Sequence, residues 1–192
     1  MEIPTDEQIR ALHERFAPTR QAFDLVHTHC RIVCEVASQL LHNRESEFDV
    51  ALVRAGALLH DIGVYRLAPG ESYLRHGVLG HELLRSVGWP EHLQRFCSCH
   101  TGVGITREDI ERQSLPLPPA DYVPVTPEET LVMYADKFHS KTTPPVFVSA
   151  STYRASLTRF GPTKPTQFDT LTAEFGLPDL TALATQYGHA IT

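Results

Sequence analysis

The sequence predicts an all-α fold, a helical bundle with a metal site in the core between its helices. Apolar residues recur at three- and four-residue spacing in successive segments, as in helices that bury one face. Strand signals are confined to short pieces such as residues 146–148. Histidine and aspartate side chains fall on or beside several apolar faces, where burying an unpaired charge is costly and a metal ion would remove that cost.

The length and composition are typical of one globular domain. The chain has 192 residues, of which 42% are hydrophobic and 21% are charged, so it can form a sizeable core. We expect residues 1–192 to form a single domain, with a metal-binding core at about 20–141 and a helical C-terminal extension at about 145–192.

The charge pattern argues against binding to a nucleic acid polymer. The formal net charge is -6, and the sequence contains no block rich in lysine or arginine. The N-terminal residues are acidic, and no apolar stretch approaches membrane-spanning length. We therefore expect a cytoplasmic protein without a membrane partner.

The first third of the chain predicts three helices. Residues 9–16 have the spacing of an amphipathic helix, and residues 23–41 form a longer helix with His29 on its apolar side. The apolar run at residues 51–63 predicts a third helix. This helix carries the dipeptide His60-Asp61 near its end, and Gly63 would be its C-terminal cap.

Two further helices carry one histidine each. The fourth helix presents His76 on its apolar face, where the small residues Gly77 and Gly80 allow a neighbouring segment to approach closely. The fifth begins after Pro90 and repeats the spacing of a buried face as far as His100.

The rest of the chain predicts a proline-rich loop and more helices. A short helix starts at Thr106, the loop covers residues 115–125, and Thr126-Pro127 starts the helix that carries Asp136. Three segments rich in aromatic residues, which would pad the core or form the interface of a homodimer, follow around residues 149–160, 166–175 and 178–187.

Six side chains of metal-ligand type lie on five of these helices. A single histidine on an apolar face is usually an ordinary core residue. Four such histidines on four helices, together with a tandem His-Asp and a later aspartate, predict a metal site instead. The predicted ligands are His29, His60, Asp61, His76, His100 and Asp136.

In these residues the sequence resembles the HD superfamily of metal-dependent phosphohydrolases. The resemblance covers about residues 20–141 and rests on His29-x-x-x-Val33, His60-Asp61-Ile62-Gly63, His76, His100 and Ala135-Asp136-Lys137. More narrowly, the sequence is similar to a largely uncharacterised prokaryotic HDIG subgroup, which shares the stretch that begins His100-Thr101-Gly102. The resemblance implies an HD-domain helical bundle.

The resemblance also implies a centre with one or two divalent transition-metal ions. One ion would be held by His29, His60, Asp61 and Asp136. In HD proteins with a second ion, two further histidines complete its site and the aspartate bridges; His76 and His100 match those positions. Mixed imidazole and carboxylate ligands suit Fe, Mn, Co, Ni or Zn better than Ca or Mg.

The resemblance implies that these ligands serve phosphoester hydrolysis. A divalent ion lowers the pKa of bound water toward about 7 and polarises a phosphoryl oxygen. The two predicted catalytic residues are Asp61, which would take a proton from this water, and Lys137. The residues predicted to bind substrate are the cations near the ligands in sequence, namely Arg66, Arg75, Lys137 and Lys141.

One position departs from the family pattern. Many HDIG proteins have a lysine directly after the glycine, and that lysine is expected to contact the phosphate. This chain has Val64 instead. The catalytic scheme of the cyclic-dinucleotide phosphodiesterases and dinucleoside polyphosphate hydrolases of the superfamily therefore does not transfer unaltered.

The predicted function is a metal-dependent phosphohydrolase, a phosphomonoesterase or phosphodiesterase, acting on a small phosphorylated metabolite such as a nucleotide. One alternative is a mixed-valent diiron oxygenase acting on an organophosphonate or a similar small molecule, because a branch of the superfamily uses the same six ligands for that chemistry. Another is a non-catalytic ligand sensor. Degenerate HD proteins usually lose ligands, whereas this sequence keeps all six.

Overall fold

Ten α-helices account for most of residues 3–192, the part of the chain that the computed structural model describes. The predicted all-α fold class is therefore confirmed. The helices are α1 (Asp6–Phe16), α2 (Arg20–Leu40), α3 (Val50–Leu59), α4 (His76–Ser86), α5 (Glu91–Ser98), α6 (Arg107–Gln113), α7 (Pro127–Ala135), α8 (Ala150–Leu157), α9 (Lys164–Phe175) and α10 (Leu180–Tyr187).

Threonine side chains cap both helix starts that the sequence predicted from threonine motifs. Thr106 Oγ1 accepts a hydrogen bond from the backbone N–H of Asp109 at 3.1 Å, and Thr126 Oγ1 accepts one from that of Glu129 at 3.2 Å. These bonds satisfy N–H groups that have no partner inside the helix. The start of α7 is thereby defined, and the helix ends immediately before Asp136.

The third helix ends earlier than the sequence predicted. α3 ends at Leu59, and the chain then continues as a short 3-10 helix, Ile62–Arg66. Gly63 lies inside that 3-10 helix, so its prediction as a helix cap was wrong. A Cβ atom added to Gly63 would lie 2.0 Å from the carbonyl oxygen of His76. This close packing brings the first turn of α4 against the backbone that follows the His-Asp pair.

Glycines also allow α4 and α5 to approach each other, as predicted. A Cβ atom on Gly77 would lie 2.7 Å from the carbonyl oxygen of Cys97, and one on Gly80 would lie 2.9 Å from the Cβ atom of Cys97. The two helices can pack closely because these positions carry no side chain. As a result, His76 and His100 lie next to each other.

The C-terminal helices share a core with α2 and α7. The ring centroid of Tyr134 in α7 lies 5.5 Å from that of Phe168 and 5.7 Å from that of Phe175, both in α9. The buried Tyr134 hydroxyl donates to the carbonyl oxygen of Gly176 at 2.7 Å. Phe168 and Phe175 therefore pad the core, one of the two roles predicted for the C-terminal aromatic residues, whereas Phe160 is exposed. The predicted single domain and the homodimer stay predictions.

Three two-residue strands form a small sheet beside the bundle: β1 (His139–Ser140), β2 (Val146–Phe147) and β3 (Ala190–Ile191). β2 is central, antiparallel to β1 and parallel to β3. The sequence predicted a strand only around β2. The sheet brings residues near 190 beside the segment that follows Asp136. Within residues 3–192, no helix combines the length and apolar character needed to cross a membrane.

Candidate metal centre

The six predicted ligand residues converge in the core, where five helices meet. α2 contributes its histidine from within the helix, whereas the other ligands lie at or next to helix ends. The six residues are buried except for Asp136, whose side chain is 16% exposed. In chain order they are His29, His60, Asp61, His76, His100 and Asp136.

His29, His60 and Asp136 form the first ligand group. Nε2 of His29 lies 3.1 Å from Nε2 of His60 and 3.0 Å from Oδ1 of Asp136. Nε2 of His60 lies 3.4 Å from the same oxygen of Asp136. These three atoms therefore surround a common point.

His76 and His100 form the second ligand group, and Asp61 lies between the two groups. The Nε2 atoms of His76 and His100 are 2.9 Å apart. Oδ1 of Asp61 lies 3.2 Å from Nε2 of His76, and Oδ2 of Asp61 lies 3.2 Å from Nε2 of His29. Each oxygen of the Asp61 carboxylate thus faces one ligand group, an arrangement that suits a bridging ligand.

The ring nitrogens show that this donor set fits a cation. Nδ1 of His60, His76 and His100 lies 2.7, 2.5 and 3.0 Å from a backbone carbonyl oxygen, so we assign the ring proton to Nδ1. The Nε2 lone pairs of His76 and His100 then face each other, which is unfavourable without a positive charge between them. Within residues 3–192, the buried Oδ1 of Asp61 also accepts no hydrogen bond. Metal-binding histidines are commonly held through their second ring nitrogen in this way.

His29 differs from the other three histidines, because its Nδ1 contacts another imidazole. Nδ1 of His29 lies 2.8 Å from Nδ1 of His139, and Nε2 of His139 lies 3.0 Å from Nδ1 of His189. Burial, together with the neighbouring His29 and His189, lowers the pKa of His139 to about 2, so its ring is neutral. The three rings form a hydrogen-bonded chain from the centre to the partly exposed His189.

This imidazole chain was only partly detectable in the sequence. His139 follows Asp136 by about one helical turn, which suggests a supporting position. His189 lies 50 residues further along the chain, and only the pairing of β2 with β3 brings it close.

Two lysines compensate the buried carboxylates. Lys141 forms an ion pair with Oδ2 of Asp61, and Nζ of Lys137 lies 2.6 Å from Oδ2 of Asp136. Burial alone would raise the pKa of both carboxyl groups. At Asp61, however, Lys141 and the imidazoles outweigh burial and lower the pKa well below its usual range. The pKa of Asp136 is also well below its usual range, and Lys137 is the strongest influence that opposes burial there. Lys137 also donates to the carbonyl oxygen of His100 at 2.8 Å, so its ammonium group is engaged by the protein.

A cavity of about 550 Å³, which we call the metal pocket, opens over the centre. Ligands from both groups line it, as do both lysines and Val64, the residue at the departure from the family pattern. Residues that the sequence analysis did not predict also line the metal pocket, among them Tyr73, Tyr153 and Arg159. Tyr153 and Arg159 come from the C-terminal extension, far from the ligands in sequence, whereas Tyr73 lies only three residues before His76.

Two of the predicted substrate-binding residues lie outside the lining of the metal pocket. Arg66 is exposed at the end of the 3-10 helix. The Nε atom of Arg75 pairs with Oε1 of Glu71 at 2.8 Å. Both are close to ligands in sequence but are not brought to the site, so we do not propose them as substrate contacts.

Curated relatives match parts of this chain. An uncharacterised protein of Methanocaldococcus jannaschii is 46% identical over 111 residues, which are 56% of this chain and 62% of that protein. A tRNA (cytidine(56)-2'-O)-methyltransferase of Picrophilus torridus is 38% identical over 138 residues, 72% of this chain and 37% of that enzyme. The chain thus spans less than two thirds of the length of these relatives.

The fold is similar to that of a solved HD domain. The HD domain of the L. monocytogenes phosphodiesterase PgpH matches with a TM-score of 0.50 and 16% identity, over 95% of this chain and 100% of that one. The same domain in complex with cyclic-di-AMP has a TM-score of 0.50, also at 16% identity, over 96% and 99% of the two chains. At this identity the likeness shows the fold alone.

The HD domain family model matches residues 26–141. This range is more than half of the chain and contains all six predicted ligands and both lysines. It ends where β1 leads into the C-terminal helices. The chain therefore belongs to the HD domain family.

Proposed function

We propose that this protein is a metal-dependent phosphohydrolase that acts on a small phosphorylated metabolite such as a nucleotide. The observation that carries the proposal is the position of Asp61. Its two carboxylate oxygens face the two ligand groups, and its ion pair with Lys141 places a cation at the lining of the metal pocket. An anionic substrate bound in this pocket would lie beside the ammonium group of Lys141 and beside the residues that would hold the metal ions.

We propose that the first ion is held by the first ligand group with Asp61, and a second ion by the second ligand group with the same carboxylate. Iron, manganese, cobalt, nickel or zinc would suit these nitrogen and oxygen donors. A bound ion there supplies Lewis acidity toward a phosphoryl oxygen and lowers the pKa of water toward about 7.

The side chains of the pocket have separate roles in this proposal. Hydrolysis breaks one P–O ester bond and forms one P–O bond to the oxygen of water, and a proton passes to the leaving oxygen. Asp61 accepts a proton from the attacking water. Lys141 neutralises a phosphoryl oxygen, since its ammonium group is at the pocket lining. Lys137 positions Asp136, because both of its contacts are protein groups.

The test is metal analysis of protein purified without chelator, followed by hydrolysis assays on a panel of phosphomonoesters and phosphodiesters with Mn, Co, Ni and Fe. We expect one or two ions per chain and hydrolysis of one substrate class. Asp61→Asn should abolish hydrolysis, whereas Asp24→Asn, which changes an exposed carboxylate, should not. Metal-loaded protein that hydrolyses neither a monoester nor a diester of the panel would contradict the proposal. Iron-dependent oxygen consumption in that case would support the diiron oxygenase.

A further inference from the structure

A second cavity adjoins the metal pocket. This apolar pocket has a volume of about 230 Å³. Its lining includes the loop that directly follows the ligand His100, from Thr101 to Ile105. Residues that line both cavities form the border between them; they are Leu74, Thr101, Gly102, Tyr153, Ser156 and Arg159. The apolar pocket therefore lies directly beside the cavity over the metal centre, at a distance that one small molecule can cover.

The inner lining of this pocket is apolar. Val103, Ile105, Leu115, Leu157 and Phe160 contribute side chains to it. Such a lining favours an uncharged group that is itself largely apolar, since placing a charge there would cost desolvation energy.

The polar groups in the same wall are already paired. Nζ of Lys164 lies 2.7 Å from Oδ2 of Asp109 and donates to the carbonyl oxygen of Gly104 at 2.8 Å. The side-chain amide of Gln113 donates to the carbonyl oxygen of Phe160 at 3.3 Å. These hydrogen bonds are made within the wall. A bound molecule would therefore be recognised in the apolar pocket by its shape and by apolar contacts, and less by charge.

The border carries an available cation. Within residues 3–192, Arg159 forms no ion pair with a carboxylate, and its guanidinium lies 4.6 Å from the ring centroid of the adjacent Phe160. Guanidinium groups bind phosphate oxygens well and also stack on flat rings. Arg159 can therefore bind an anionic oxygen in the metal pocket and stack on a planar group in the apolar pocket.

The C-terminal extension builds one whole side of this pocket. Tyr153, Ser156, Leu157, Arg159 and Phe160 all lie beyond residue 141, where the family match ends. The predicted metal ligands lie within residues 26–141, the range that the family model matches, whereas much of the wall beside them comes from the C-terminal extension. The extension is thus in a position to select the substrate.

We infer that the apolar pocket binds a flat, uncharged ring carried by the phosphoester substrate, with Arg159 at the border between ring and phosphate. The inference rests on the proposed function and narrows its substrate class to ring-bearing phosphoesters. A nucleobase is a compact uncharged ring that fits the size of the cavity, and its two flat faces can pack against the apolar lining.

The test compares two compounds that differ only in the ring. AMP and ribose 5-phosphate share the phosphate and the sugar, and calorimetric titration of metal-loaded protein measures their binding without any turnover. We expect AMP to bind at least about ten-fold more tightly, a difference of about 1.4 kcal/mol. Equal affinities, or no binding of either compound, would overturn the inference.

Variants locate the ring in the cavity. Leu115→Trp fills the apolar pocket from a position that does not line the metal pocket, so it should remove the advantage of AMP while leaving the affinity for ribose 5-phosphate within about two-fold. Leu117→Trp places the same ring in the same loop outside both pocket linings and should keep the advantage. Equal behaviour of the two variants would place the ring elsewhere. The proposed function fails separately if no phosphomonoester or phosphodiester is hydrolysed while the binding difference persists.

Discussion

Nδ1 of His139 lies 2.8 Å from Nδ1 of His29, so one predicted metal ligand is oriented by another imidazole. The other three histidines of the centre are each held by a backbone carbonyl oxygen of a nearby helical turn. A carbonyl is supplied by any residue type, but the acceptor for His29 depends on one particular side chain. His139 is therefore a positioning residue that substitution can remove.

We predict that His139→Phe weakens metal binding by about 10- to 100-fold, the usual effect of losing a hydrogen bond that orients a metal-binding histidine. Metal titration of the apoprotein measures this directly, and thermal melting shows whether the variant folds. His139→Asn, which retains an acceptor, should recover part of the affinity. Exposed His42→Phe is the control. Unchanged metal affinity in folded His139→Phe would refute the positioning role.

We predict that chelation lowers the Tm of the protein. Without a cation, the lone pairs of His76 and His100 face each other, and Oδ1 of Asp61 lacks a partner. An ion at 100 times its Kd would stabilise the fold by about 2.7 kcal/mol, which corresponds to about 5–10 °C in a chain of this length. Melting with and without EDTA measures the shift. Asp61→Asn should reduce it, and a shift of zero in the unaltered protein would contradict the metal centre.

We predict that Lys141→Met lowers kcat/KM for a phosphoester by about 10- to 100-fold, because a charged hydrogen bond to the phosphoryl group is lost. Metal content should stay the same, since Lys141 is not a ligand. Lys141→Arg should restore part of the rate by returning the positive charge. Steady-state kinetics with metal analysis checks each variant. Full activity in Lys141→Met would remove this residue from the proposed site.

We predict a pH-dependent loss of stability that arises from His13, away from the metal ligands. Its Nε2 lies 2.8 Å from the carbonyl oxygen of Leu58, and its Nδ1 lies 2.9 Å from the Tyr65 hydroxyl. Burial, the largest influence, lowers the pKa of His13 to about 4, and the nearby His27 adds to the shift. The unfolded chain then binds more protons than the folded chain between about pH 6.5 and pH 4.

Folding stability should therefore fall by up to about 3 kcal/mol as the pH decreases through that window. Urea unfolding at several pH values measures the slope. His13→Gln should flatten it, while the exposed His42→Gln should leave it unchanged. An identical slope in His13→Gln would assign the pH dependence to other groups.

We predict that Phe168→Ala destabilises the entire chain by about 3–5 kcal/mol, the usual cost of removing a buried aromatic side chain. Phe168 lies in the C-terminal extension but packs on Tyr134 of α7. The unfolding transition should stay single, as expected if residues 1–192 form one domain. Phe160→Ala, at a position 41% exposed, is the control. Two separate transitions would show that the C-terminal extension unfolds independently of residues 26–141, the range of the family match.

The sequence predicted the ligand set because each ligand lies on, or directly continues, a segment whose apolar residues have the helical period. The tandem His60-Asp61 at the end of such a segment added to that signal. Local periodicity carries no information on segments that meet only in the folded chain. For that reason it missed Arg159 and the role of His189. The same limit explains why Arg66 and Arg75 were predicted to bind substrate, although they are close to the ligands only in sequence. It also explains why Gly63 was predicted as a helix cap, although the need for glycine there comes from its contact with the first turn of α4.

The contact at Gly63 has a consequence for how the centre can change. The spacing between the two ligand groups depends on an absent side chain, because any Cβ at this position would push the carbonyl of His76 away. Replacing any predicted ligand other than Asp61 would change one ligand group alone, whereas a larger residue at position 63 would change the distance between the two groups. A protein with all six predicted ligands intact could therefore lose the proposed two-metal site through a residue that never touches an ion.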